Sequence, residues 1–263
     1  MRSVLFFMSI CSLVGCDGAQ SSPASQRVET DDPAQLATTN DDERPRAELL
    51  DVVYPSLPAQ AGEAEEFVVD GWKLIAKQYG DLNDDGTADV VVLMRMTDPA
   101  NVRTVTHSPH YEIDDTNPYL LAIGFAQHNG YILAATHHAL FPREVAPMHS
   151  ESPPDQNSFD IENGVLTLFL GHLRGSEEVR FRWDGDAFVL IGYECAGVTG
   201  GNYVSLSANY LTRNARYERG TIDSDDRSAS TVEIRPDDRP TLEEIRTEFD
   251  WSGTDIDGVR LQC

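Results

Sequence analysis

The 263-residue sequence predicts a mainly β protein built from antiparallel hairpins, arranged as a sandwich or a propeller-like meander with a minor C-terminal helix. Three observations support this fold class. Short runs rich in Val, Ile, Leu, Phe and Tyr recur from residue 72 onward, and several of them alternate apolar with polar residues as half-buried strands do. Asn-Gly or Asp-Gly pairs, which favour tight hairpin turns, divide three of these runs.

The first two predicted strands flank a polar loop. The run "WKLIAKQY" at residues 72–79 alternates apolar and charged side chains, which is typical of a strand with one exposed face. The run "DVVVLMRM" at residues 89–96 is continuously apolar after its first residue, so we expect a strand that is buried on both faces.

Later strands are predicted around hairpin turns. The segments are "YLLAIGFAQHNGYILAAT", "FDIENGVLTLFLGHL" and "VRFRWDGDAFVLIGYE", followed by "NYVSLSANYL" and "TVEIR". Their turn pairs are Asn129-Gly130, Asn163-Gly164 and Asp184-Gly185. Near the C-terminus, "TLEEIRTEF" at residues 241–249 predicts a helix capped by Thr241, and "DIDGVRLQC" predicts a turn and an edge strand. Residues 97–118 and 137–157 are predicted as long loops.

The N-terminus carries an export signal. Arg2 precedes an apolar stretch at residues 4–14, and the following "LVGC" resembles the bacterial lipobox. This pattern predicts a lipoprotein signal peptide at residues 1–15 and acyl chains, palmitate among them, on Cys16. Residues 16–46 are polar and aperiodic and predict a disordered acidic tether, which leaves residues 47–263 as one β-rich domain. An ordinary secretory signal that contains Cys is the alternative.

Charge and cysteine content restrict the environment. Forty-four acidic and twenty basic residues give a formal net charge of −24, which excludes nucleic-acid binding and favours bound cations. Cys11 leaves with the signal peptide and Cys16 carries lipid, so Cys195 and Cys263 are the remaining thiols. In an oxidising compartment this pair predicts a disulfide, with two separately buried thiols as the alternative.

The loop "GDLNDDGTADVVVL" at residues 80–93 has the pattern D-x-N-x-D-G-x-x-D. Oxygen ligands at its first, third, fifth and ninth positions, with the carbonyl at the seventh, suit Ca²⁺, and Gly86 supplies the sharp turn. The predicted ligands are Asp81, Asn83, Asp85, Thr87 and Asp89. An EF-hand requires Glu at position 12, where this chain has Val92, so Asp89 must close the site. A solvated polar turn is the alternative.

This loop resembles the calcium loops of FG-GAP (integrin-type) and dockerin-like repeats. Together with "VRFRWDGDAFVLIGYE" and "NYVSLSANYLT", the loop and its flanking strands resemble a family of uncharacterised exported bacterial proteins, over roughly residues 67–217. The resemblance implies one β-rich domain outside the cytoplasm and implies no established activity.

No nucleophile, phosphate-binding or zinc-protease motif is present in the sequence. Histidines at 107, 110, 137 and 138 lie in or beside the long loops, where they could bind metal with Asp114 or Asp115, although scattered surface histidines are more common. We therefore expect a non-catalytic, calcium-stabilised binding or structural lipoprotein of the cell envelope, facing the periplasm or the exterior. Its expected partners are the membrane, through the lipid, and an envelope protein or glycan. A hydrolase that uses the long loops is the alternative.

Overall fold

The computed structural model describes residues 49–107, 110–141, 143, 154–172, 175–224, 226–235, 239–245, 253–254, 257–258 and 260–261. All of them belong to one compact unit, Glu48–Cys263. Antiparallel strands dominate, which confirms the predicted mainly β fold, and the helices among these residues are two short 3₁₀ segments, Ala64–Phe67 and Pro99–Asn101. No helix within the described ranges is long and apolar enough to cross a membrane. The predicted signal peptide, Cys16 and the tether lie outside the described residues.

The first sheet has five strands in the order β1-β7-β6-β3-β2. Their bounds are β1 Gln60–Ala61, β2 Trp72–Gly80, β3 Asp89–Met96, β6 Tyr119–Gln127 and β7 Gly130–His137. Strand β3 lies between β2 and β6, and Val90 to Met94 are all fully buried. Val91 and Leu93 face the second sheet, whereas Val90, Val92 and Met94 pack against the N-terminal 3₁₀ segment through Phe67. Burial on both faces explains the continuous apolar run in the sequence.

The second sheet is a seven-stranded meander in which each strand pairs with its sequence neighbour. Its strands are β8 Phe159–Glu162, β9 Val165–His172, β10 Gly175–Trp183, β11 Phe188–Thr199, β12 Asn202–Asn209, β13 Asn214–Thr221 and β14 Ser228–Glu233. Alternate residues of β9 and β10, such as Leu168 and Phe181, are fully buried in a core shared with Leu121 and Ile123 of the first sheet. The two sheets therefore pack face to face as a sandwich.

The predicted hairpin turns are present. Asn163 and Gly164 have φ of 53° and 73° and form the two-residue connection between β8 and β9, as a type I′ turn requires. Gly130 begins β7 directly after the His128-Asn129 connection, and Asp184-Gly185 lies in the connection between β10 and β11.

Residues 97–118 differ from the predicted loop. They contain two further strands, β4 Val102–His107 and β5 His110–Asp115, which pair only with each other within the described part of the chain. Buried Asn117 holds the base of this hairpin: its Oδ1 accepts from Asp98 N at 3.1 Å, and its Nδ2 donates to Asp98 O at 3.1 Å and Asp115 Oδ1 at 2.8 Å. The sequence does not reveal this hairpin because its strands mix Thr, His and acidic residues with few apolar ones.

The C-terminal part also differs from its prediction. Thr241 forms an isolated bridge with Val189, and residues 242–244 form a turn in which Thr241 N donates to Glu244 Oε2 at 2.8 Å. This contact is half of a helix capping box, so the capping signal is used by a turn. Residues 246–249 of the predicted helix, and residues 142 and 144–153 of the predicted loop 137–157, lie outside the described residues. Two short strands, β15 Gly253–Thr254 and β16 Arg260–Leu261, pair with each other near the C-terminus.

Candidate functional site

The predicted calcium loop connects β2 to β3 and is closed by the Gly80–Asp89 strand pair. Asp84 and Gly86 have φ of 62° and 83°, so the chain makes the tight left-handed turn that Gly86 predicts. Leu82 projects from the loop into the sandwich core, where only 1% of it is exposed. The loop is therefore anchored by an apolar side chain at its second position.

Hydrogen bonds within the loop orient three of the predicted ligands. Asp81 accepts from Asp85 N at 3.2 Å and from Gly86 N at 2.8 Å. Asn83 Oδ1 accepts from the same Asp85 N at 3.0 Å, and Asp85 Oδ1 accepts from Thr87 N at 2.8 Å. Asp81, Asn83 and Asp85 thus gather their side-chain oxygens around one stretch of backbone. The bond from Thr87 N is the main reason that the pKa of the Asp85 carboxyl lies below its usual value.

Asp89, the predicted closing ligand, is fully buried and bonded to backbone on both sides. Its Oδ2 accepts from Leu82 N at 2.8 Å and its Oδ1 accepts from Ala126 N at 2.8 Å. Burial raises the pKa of Asp89; the two backbone hydrogen bonds oppose this rise, and the charges of Asp85 and Asp81 add to it. Asp89 therefore ties the loop to β6, a structural role that the sequence pattern does not show.

The ligand chemistry of the loop fits a hard cation in part. Carboxylate and amide oxygens from Asp81, Asn83 and Asp85 lie on neighbouring positions of one turn, and oxygen ligands of this kind suit Ca²⁺. In the described ranges, no three His, Cys, Asp or Glu side chains are already grouped to hold a metal ion. Besides Asp89, the ion would need as ligands the carboxylates of Asp81 and Asp85, the amide oxygen of Asn83 and the carbonyl of Thr87. The oxygens of Asp89 already accept backbone hydrogen bonds but keep further lone pairs.

The loop also lies where the two sheets meet. A Cβ atom on Gly80 would lie 2.3 Å from Ile161 Cγ2, and one on Gly164 would lie 3.2 Å from Asp84 Oδ1. Gln78 Nε2, on the strand that leads into the loop, donates to Phe159 O at 2.5 Å. Strand β8 and its turn therefore pack directly against the loop and its leading strand.

The predicted histidine site is not assembled around His137. This side chain is 5% exposed, its Nδ1 accepts from Ala139 N at 3.1 Å, and its Nε2–H then donates to Ile245 O at 2.6 Å. Burial lowers the pKa of His137 to about 4. His138 instead stacks on Tyr54, with ring centroids 4.2 Å apart.

The other residues of that predicted site lie on the β4–β5 hairpin. His107 and His110 are paired at the end of β4 and β5. Asp115 is held in an ion pair with Arg95, whose Nη1 lies 3.2 Å from Asp115 Oδ2.

Of the two predicted disulfide cysteines, Cys195 lies on β11, is buried and is disulfide-bonded. Cys263 lies outside the described residues, so its pairing with Cys195 stays a prediction.

Comparison with known proteins assigns no family, because the chain matches no protein-family model, no curated protein and no solved structure. The resemblance to exported bacterial proteins with an FG-GAP-type loop stays a prediction.

Proposed function

We propose that the protein is a non-catalytic, calcium-stabilised binding or structural module of the cell envelope. The observation that carries this proposal is the convergence of Asp81, Asn83 and Asp85 on the N–H groups of one turn. Three side chains held this way present their remaining oxygen lone pairs with little freedom to move apart. Such a set costs free energy through charge repulsion unless a cation lies among the oxygens.

The ligands proposed for one Ca²⁺ ion are the side chains of Asp81, Asn83 and Asp85, the carbonyl of Thr87 and the buried carboxylate of Asp89. The ion would neutralise the carboxylates in a loop that carries four of them within nine residues. Lys and Arg in the described segments form no ion pair with Asp89, so a bound cation would supply the positive charge that its burial requires.

The role proposed for the ion is structural. The loop joins two paired strands and anchors Leu82 in the core, whereas calcium sensors respond by opening a pair of helices. Locking this loop would fix the first sheet against β8. We expect a dissociation constant of roughly 10⁻⁴ to 10⁻⁶ M, as in other extracytoplasmic modules and weaker sensors.

The envelope location is supported by the sequence. The "LVGC" motif at residues 13–16 supports lipid attachment at Cys16, and two or more acyl chains anchor a protein stably to a membrane. The net charge of −24 favours bound cations and opposes nucleic-acid partners.

Thermal unfolding of the soluble chain from residue 17 tests the calcium site. Saturating Ca²⁺, at about 100 times the dissociation constant, should add about 2.7 kcal/mol to the free energy of unfolding. For a domain of this size that is a rise in melting temperature of roughly 5–10 °C. Mg²⁺ should stabilise less, because it requires tighter octahedral geometry.

A matched pair of variants locates the effect. Asp85→Asn and Asp84→Asn each remove one negative charge from the same loop, and Asn tolerates the left-handed conformation of residue 84. Asp85→Asn should lose the response to Ca²⁺ and Asp84→Asn should keep it. Identical melting of the wild type in chelator and in millimolar Ca²⁺ would show that the loop is only a polar turn.

A further inference from the structure

The outer face of the seven-stranded sheet carries a groove of about 590 Å³ that crosses β9 to β13. Its floor is a row of small residues, one from each of four neighbouring strands and directly opposite one another. The row is Gly171, Ser176, Ala196 and Ser205. At a strand spacing of about 4.8 Å, this floor is roughly 14 Å long and runs across the strands. The groove therefore exists because the strand register aligns four small residues across the sheet.

A second row of larger side chains forms one wall. It contains, in order across the sheet, Phe169, Glu178, Glu194, Ser207 and Arg216. Tyr203 borders the opposite side, where Arg227 lies over its ring at 3.9 Å from the centroid. Phe169 is 40% exposed, so an apolar ring stands open to solvent at one end of the groove.

Each charged group of this wall already has a partner of opposite charge. Arg180 follows Glu178 by two residues on β10 and forms ion pairs with both Glu178 and Glu194. Its Nη1 lies 3.0 Å from Glu194 Oε1. Arg216 Nη2 lies 2.6 Å from Glu218 Oε1. A charged ligand would have to compete with these pairs. This applies even to a cationic ligand, which the formal net charge of −24 attracts. An uncharged ligand rich in hydroxyl groups would instead use carboxylate lone pairs that the arginines hold in place.

From this lining we infer that the groove binds a linear, uncharged glycan. The exposed ring of Phe169 suits the apolar face of a sugar ring, and the carboxylates and serine hydroxyls suit its hydroxyl groups. The floor crosses four strands, which favours a chain of several sugar units over a monosaccharide. This inference rests on the binding role in the proposed function and names the ligand class of that role.

Isothermal titration of the soluble chain from residue 17 with three uncharged oligosaccharides, cellohexaose, chitohexaose and maltohexaose, tests the inference. At least one should bind saturably, with little dependence on salt because no ion pair forms. Phe169→Ala should weaken that binding by roughly tenfold, since one stacking contact is lost. Ser205→Tyr should abolish it by filling the floor without touching the core.

Leu211→Ala is the matched control, because it removes a 54% exposed apolar side chain that does not line the groove, and it should bind as the wild type does. Failure of all three oligosaccharides to bind would overturn the inference. It would also be overturned if Phe169→Ala and Ser205→Tyr, verified as folded by their melting, bound as well as the wild type, or if only a lysine-rich peptide bound.

The calcium response separates the two proposals, because it depends on the loop and not on this face. Calcium-dependent melting without glycan binding would reject only the glycan inference. Saturable glycan binding without calcium-dependent melting would reject only the calcium site.

Discussion

Acidification should destabilise this protein through His137 in a window that can be calculated. The folded protein holds the ring neutral, because Nδ1 accepts from Ala139 N and burial disfavours the charged form. Its pKa is lowered from 6.5 to about 4, so the unfolded chain binds a proton between these values while the folded chain does not. The stabilising contribution is therefore fully present above pH 6.5, declines as the pH falls and is lost below about 4.

The magnitude follows from the size of that shift. A difference of about 2.5 pKa units corresponds to about 3 kcal/mol in total, and about 2 kcal/mol of this should be lost between pH 7 and pH 5. This is a large fraction of the stability of an ordinary domain. Burial also raises the pKa of the Asp89 carboxyl, so the wild type alone cannot isolate the histidine.

Urea unfolding of the wild type and His137→Gln at pH 7 and pH 5 isolates it. Gln keeps a donor for Ile245 O but does not titrate, so the variant should be less stable at pH 7 and should lose about 2 kcal/mol less on acidification. His128→Gln is the control, because it makes the same substitution at a histidine that is exposed in the β6–β7 connection. A parallel loss of stability in the wild type and His137→Gln would refute the reasoning.

Two further predictions concern the cysteines. Cys16→Ser should abolish fatty-acid labelling and leave the protein uncleaved or soluble, as measured by mass and membrane fractionation; an unchanged mass and distribution would reject the lipid anchor. If Cys195 and Cys263 form a disulfide, the mature protein should show no free thiol after denaturation without reductant, and reduction should cost a few kcal/mol, on the order of 4 from chain entropy. Two titratable thiols in that assay would reject the pairing.

Much of the strand content could be predicted because local patterns coincide with tertiary environment. The apolar run of β3 is buried on both faces, and Asn163-Gly164 forms the turn that its backbone preferences favour. The β4–β5 hairpin was missed because polar contacts at its base, centred on Asn117, hold it in place of an apolar face.

The candidate sites show where sequence patterns stop being informative. A carboxylate at position 89 satisfies both a metal motif and a pair of backbone N–H groups, and the pattern alone cannot distinguish the two uses. The groove depends on four small residues from strands separated by hairpins of different lengths. Only the register shows that Gly171, Ser176, Ala196 and Ser205 are neighbours.

Each sheet is built from one uninterrupted part of the chain. Strands β1 to β7 form the first sheet and the β4–β5 hairpin, and strands β8 to β14 form the second sheet. When the chain emerges from its N-terminus onward, the first sheet can therefore complete its pairings before any strand of the second appears. Short sequence separation between partners also favours rapid folding of each half. A chain break between residues 141 and 154 would leave every strand pair within a sheet intact, so the two halves are natural candidates for reassembly as complementing fragments through their shared apolar faces.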